Sequence, residues 1–200
     1  MLLNIIICIF SYFIGNILGG KVLKVIYGSD LSTGGSGNIG ARNAGRLLGS
    51  KAFLFVLTID FFKGFLVVII LKLLDVSYVI ISIAIFLVVL GHIKPILNKF
   101  KGGKGVATFA GAITALSPNL FFIIILGILL ISFVTRSLTI GFYSTLPSLV
   151  YIHYLDFKSI YSTIIFSMVV LMLFIVSKDS IKMSFNKYFN PIKKRRIENK

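Results

Sequence analysis

Seven apolar stretches occupy most of this chain. Backbone that enters hydrocarbon must satisfy its own hydrogen bonds, and for stretches of this kind that means helix. They run roughly over residues 2–20, 51–74, 76–92, 105–116, 118–134, 138–152 and 159–177. A bilayer crossing takes ~20 residues, so 105–116 and 138–152 are the short members. With 57% hydrophobic residues and a mean hydropathy of +1.00, the expected fold is all-α. It is a polytopic integral membrane protein of about seven transmembrane helices, a single domain over 1–200 with a short basic tail from about 178.

Lys and Arg number 21 against 6 acids. With the N-terminus placed outside, 18 of those 21 cations fall in inner loops or the tail; Lys72 and Lys158 fall near outer turns and Lys63 within the second stretch. That bias predicts a cytoplasmic C-terminus and puts both glycine-rich loops on the cytoplasmic side. Nucleic acid is not an expected partner, because the basic residues punctuate apolar runs and form no soluble basic face. The first run, "LLNIIICIFSYFIGNILGG", has no basic residues ahead of it and no small-residue cleavage site, so it reads as a retained helix. The tail "NPIKKRRIENK" reads as a topology signal or as an anchor for anionic head groups. Cys8 alone excludes an intrachain disulfide and reads as lipid-facing or packing filler; no metal-ligand spacing occurs, and no metal or cofactor is expected.

Two loops stand out. Seven glycines lie between Gly28 and Gly49, and "FKGGKGVAT" spans residues 100–108. Glycine lets backbone N–H groups close around an anion, and Arg42, Arg46 and Lys104 add formal charge. Isolated glycines would mean simple flexibility, whereas two dense loops with Ser, Thr or Asn beside cations favour a phosphate site. The nucleotide-binding pattern G-x-x-x-x-G-K-[ST] fails, since Gly105 follows Lys104.

Other groupings carry less. His92 lacks the acid of an H-x-x-x-x-D dyad, and His153 with Asp156 reads as an interfacial pair near an outer turn. Asp60 and Lys63 in "LTIDFFKGF" lie at bilayer depth, where a charge costs at least ~2.5–3.5 kcal/mol. Their i, i+3 spacing allows neutralisation on one helix face, and structural and functional roles both stay open.

Taken together, "GSGNIGARNAGRLLG", "GHIKPILNKFKGGKGVAT", "TRSLTIGFYSTLP" and "IDFFKG" resemble the signature stretches of the bacterial acyl-phosphate-dependent glycerol-3-phosphate acyltransferases, the PlsY-type family. The resemblance implies a multi-pass bacterial plasma-membrane enzyme with its site facing the cytoplasm. It would move an acyl group from acyl phosphate to glycerol 3-phosphate, giving lysophosphatidate and phosphate for phospholipid synthesis. Ser36, Arg46 and Lys104 would be catalytic. Gly37, Asn38, Arg42, Asn43, His92, Gly102, Gly103, Gly105, Thr108, Ser177 and Ser180 would bind substrate. The implied partners are those two substrates and membrane lipid, with a homo-oligomer left open.

Two departures are visible. Arg42 stands where the family usually has Thr, and "SKDSI" (177–181) stands where it has H-R-E-N-I, so Ser177 replaces a His and Ser180 an Asn. A small transporter or channel is the rival suggested by the buried charges and glycine-interrupted helices. A lipid-binding paralogue with weak activity is the rival suggested by the departures.

Overall fold

A computed structural model describes residues 2–189, which form nine α-helices joined by short turns and by two longer loops, 28–40 and 94–105. They are α1 (Leu2–Gly15), α2 (Gly19–Tyr27), α3 (Ala41–Leu48), α4 (Ser50–Leu73), α5 (Tyr78–Ile93), α6 (Val106–Leu116), α7 (Pro118–Thr135), α8 (Leu138–Phe157) and α9 (Ile160–Phe189). The basic tail 190–200 lies outside the described residues.

All seven apolar stretches are helical, but four helices, or five if the bent α1–α2 pair counts as one span, are long and apolar enough to cross a membrane. The first stretch breaks at Asn16–Leu18 and turns by 47° into α2. The fourth, α6, has 11 residues, about 16 Å at the helical rise and roughly half a hydrocarbon core. α8 has 20 residues but carries Thr139, Tyr143, Thr145, His153 and Pro147. Of its polar side chains, Thr139, Tyr143, Thr145 and His153 are buried.

Close backbone contact sets the packing. α4 lies along α6, α1 along α5, α7 along α8, and α9 closes against α5 and α8. A Cβ on Gly64 of α4 would lie 2.0 Å from the Thr108 carbonyl oxygen, and one on Gly111 of α6 would lie 2.0 Å from that of Phe61. Such reciprocal glycine contacts replace the hydrophobic drive that lipid-immersed helices lack. Gly64→Leu or Gly111→Leu is therefore expected to abolish folded protein, read as loss of the monodisperse detergent-solubilised peak; recovery of normal yield and melting behaviour would contradict this contact.

Polar side chains cap the start of α7 and the end of α6. Ser117 accepts the Asn119 N–H at 3.2 Å ahead of Pro118, which opens α7. Lys72 of α4 donates to the Ala115 and Leu116 carbonyls, both at 3.1 Å, closing α6. The expected His153–Asp156 pair does not form. Asp156 accepts from Ser117 at 2.5 Å and Asn119 at 2.8 Å, while His153 stacks on Phe166 and bonds Thr163 at 3.1 Å. Three residues apart on α8, one side chain serves the start of α7 and the other fills the bundle. Cys8 is half-buried in a shallow apolar groove with Ile9, Tyr12, Phe13, Leu87 and Ile96.

Candidate active site

Asn43 of α3 organises the first glycine-rich loop. Its Oδ1 accepts the Ser36 N–H at 2.9 Å, and its Nδ2 donates to the Leu31 and Gly34 carbonyls at 2.9 and 3.1 Å. Asn43 is buried, so these bonds answer three backbone groups that would otherwise lack partners. Asn38 accepts the Gly40 N–H at 2.9 Å, forming the turn that opens α3. The Ser36 and Arg46 side chains are exposed, and neither has a hydrogen-bond partner among the described residues.

Arg42 leaves α3 toward α8, where its Nη1 donates to Thr139 Oγ1 at 2.9 Å. Arg46 follows one turn later on the same face of α3.

The second loop folds onto the end of α5. Gly103 N–H donates to the His92 carbonyl at 3.1 Å. A Cβ on Gly102 would meet that carbonyl at 2.0 Å, and one on Gly103 would meet His92 Nε2 at 2.2 Å. Gly105, at φ +78°, starts α6 in a conformation that suits glycine. His92 is 4% exposed. Its Nδ1 lies 2.8 Å from Lys63 Nζ and 3.2 Å from Thr108 Oγ1. Both His92 and Thr108 thus face the bundle interior.

Lys104 is half-buried and donates to Ser180 Oγ on α9. Its pKa is lowered, first by burial and then by repulsion from Arg42, with Asp179 opposing both. Two cations therefore stand close together, and among the described residues no carboxylate is hydrogen-bonded to either. Beside them the Tyr143 hydroxyl donates to Ser177 Oγ at 2.5 Å.

The structure thus gathers Arg42, Lys104, Ser177 and Ser180 where α3, the second loop, α8 and α9 meet. Gly37 and Gly102 line a neighbouring cavity of about 330 Å³, together with Lys21, Ser32, Ile39, Asn98 and Lys101. Ser36 is held through its backbone by Asn43 and Arg46 is carried on α3, and among the described residues neither side chain is hydrogen-bonded to Lys104. Thr139, Tyr143, Lys21 and Lys101 were not singled out from sequence. The signal for the first two lies in "TRSLTIGFYSTLP", whose Thr139 and Tyr143 sit at i, i+4 on α8.

Residues 5–187 match the sequence model of the glycerol-3-phosphate acyltransferase family. The chain belongs to that family. Glycerol-3-phosphate acyltransferase from Macrococcus caseolyticus is 35% identical over 181 residues, covering 88% of this chain and 91% of the relative. The Aquifex aeolicus glycerol-3-phosphate acyltransferase is 43% identical over 126 residues, which span 61% of this chain and 66% of that protein. In three dimensions the chain superposes on the crystal structure of PlsY, an integral membrane glycerol 3-phosphate acyltransferase, in its glycerol 3-phosphate form. The TM-score is 0.83 at 29% identity, over 92% of this chain and 93% of PlsY. The lysophosphatidic acid form of PlsY gives 0.82 at 28% identity. This member of the glycerol-3-phosphate acyltransferase family is an integral membrane protein, and its relatives come from bacteria.

Proposed function

We propose that this family member transfers a fatty acyl group from acyl phosphate to glycerol 3-phosphate, on the cytoplasmic face of the membrane. The observation that carries the reading is the paired cations Arg42 and Lys104, brought together in a cleft where α3, the second glycine-rich loop, the start of α8 and α9 meet. Such a cleft suits two phosphate-bearing substrates, and the surrounding apolar helices give a fatty tail access from lipid.

Acyl phosphate is a mixed anhydride and arrives activated. The acceptor hydroxyl oxygen bonds to the acyl carbon, and the carbon–oxygen bond to phosphate breaks. The hydroxyl proton passes to a phosphate oxygen, so no strong protein nucleophile or base is needed. The protein aligns the reactants and stabilises charge on the departing phosphate. In this reading Lys104 neutralises phosphate, Arg46 closes on it as a bidentate clamp, and Ser36 hydrogen-bonds a phosphate or the reacting carbonyl. Arg42 supplies a further cation. Amides of Gly102 and Gly105 line the approach, Gly37 and Gly103 shape the two loops through N–H bonds to the Gly34 and His92 carbonyls, Asn38 and Asn43 hold the first loop, and His92 with Thr108 supports the second. Ser177 and Ser180 take the places of the family's His and Asn.

Purified protein given glycerol 3-phosphate with acyl phosphate, acyl-CoA or acyl carrier protein, each alone, is expected to form lysophosphatidate with acyl phosphate. Absence of product with every donor would favour the transporter or scaffold reading. For orientation, a cysteine placed at Ser36 in a Cys8→Ser background is expected to react with a membrane-impermeant reagent only in opened cells. Labelling from outside intact cells would overturn the cytoplasmic assignment.

A further inference from the structure

Asp60 and Lys63 do more than neutralise each other at 3.1 Å. Lys63 Nζ donates to the Gly15 carbonyl at 3.1 Å and the Ile17 carbonyl at 2.6 Å, two oxygens left unpaired where α1 breaks. Asp60 Oδ1 accepts the Gly19 N–H at 3.1 Å, an amide freed at the start of α2. The pair therefore satisfies both sides of one helix break. Directly after it, Gly20 packs so tightly on the first loop that a Cβ there would lie 2.1 Å from the Ile39 carbonyl oxygen.

The same ammonium reaches the second loop. Lys63 Nζ lies 2.8 Å from His92 Nδ1, the same nitrogen stands 3.5 Å from Asp60 Oδ1, and His92 Nε2 faces Gly103. One buried ammonium thus grips the element that carries the first loop and the imidazole that carries the second. All three side chains are nearly sealed, with Asp60 2%, Lys63 5% and His92 4% exposed.

We propose that Asp60 and Lys63 are positioning residues for acyl transfer: they form, with His92, a clamp that fixes the two glycine-rich loops relative to each other. The catalytic consequence rests on the acyltransferase reading, whereas the geometric consequence does not. Reacting atoms must meet at ~3–3.5 Å, and a misplacement of ~1 Å costs about 10²-fold in rate. Loss of the clamp therefore strikes kcat harder than KM.

The decisive variant is Asp60→Leu with Lys63→Met. It removes both charges together, so no orphan charge is buried and the bundle can stay folded. Spin labels on cysteines at Thr33 and Lys99, in a Cys8→Ser background, report the distance between the loops without any turnover. The unclamped protein is expected to melt as a folded species, to broaden that distance distribution, and to lose about 10-fold or more in kcat with KM changed less than about 3-fold. Lys72→Met serves as the control, since Lys72 closes α6 through two carbonyls remote from either loop; it should leave the distribution narrow. Should the double variant fail to fold, Asp60→Asn, which keeps an oxygen for the Gly19 N–H and drops the charge, is expected to give partial broadening. An unchanged distance distribution in the folded unclamped variant, or equal broadening in Lys72→Met, overturns the proposal. Broadening in the double variant together with no measurable acylation by the parent protein would instead count against the acyltransferase reading alone.

Discussion

Lys104→Ala is expected to lower kcat/KM for glycerol 3-phosphate acylation by about 10²–10³-fold while the protein stays folded. A preorganised donor facing developing charge is worth about that much in a water-poor site, and a charge-assisted bond to phosphate is about twice as strong as a neutral one. Lys104 is half-buried on a glycine-rich loop, and its sole hydrogen-bond partner among the described residues is a hydroxyl, Ser180. Burial and Arg42 lower its pKa. The parent enzyme's alkaline limb should therefore lie below the ordinary lysine range and vanish in the variant. Arg46→Ala should cost at least about 10-fold, because its exposed guanidinium is free to close on phosphate. Initial rates on purified protein decide this; near-normal rates in both variants would remove the phosphate-clamp assignment.

Arg42→Thr, which installs the residue that the sequence resemblance leads one to expect there, is expected to reduce kcat/KM by about 10–100-fold, as loss of a charged hydrogen-bonding group at substrate does. The reason lies in the departures. Ser177 and Ser180 are shorter than the His and Asn that the resemblance implies at those places, and Arg42 spans from α3 to Thr139 on α8 beside Lys104. The guanidinium thereby supplies a cation that the missing His cannot. If so, Arg42→Thr combined with Ser177→His and Ser180→Asn should recover most of the lost rate, since neighbours in one site are not additive. Steady-state kinetics on the single, double and triple variants test it. An Arg42→Thr enzyme as fast as the parent would contradict the compensating role.

Much of this was legible in the residues because it rests on local chemistry. The helical stretches follow from apolar length, and the loops from glycine density beside Asn43 and Lys104. The break in the first stretch was not legible, because it is stabilised from α4. Lys63 and Asp60 answer the freed carbonyls and amide of residues 15–19, a contact across more than 40 positions that no local pattern reveals. α6 was counted among the crossings on hydropathy alone, although its 11 residues are too few, and the Lys72 cap that ends it again comes from α4. His153 and Asp156 have the spacing of a pair, but tertiary partners drew them apart. Arg42 and Ser180 were readable as departures. Their partners, Thr139 and Lys104, were set by how α8 and α9 pack against the loops.

The most direct measurement is phosphorus NMR of the purified protein in lipid nanodiscs, supplied with acyl phosphate and glycerol 3-phosphate and no thioester. Acyl phosphate should be converted to inorganic phosphate while glycerol 3-phosphate becomes lysophosphatidate, in equal amounts and at equal rates. Phosphate release without lysophosphatidate, or lysophosphatidate formed solely when a thioester donor is added, would contradict direct acyl transfer from acyl phosphate at this site.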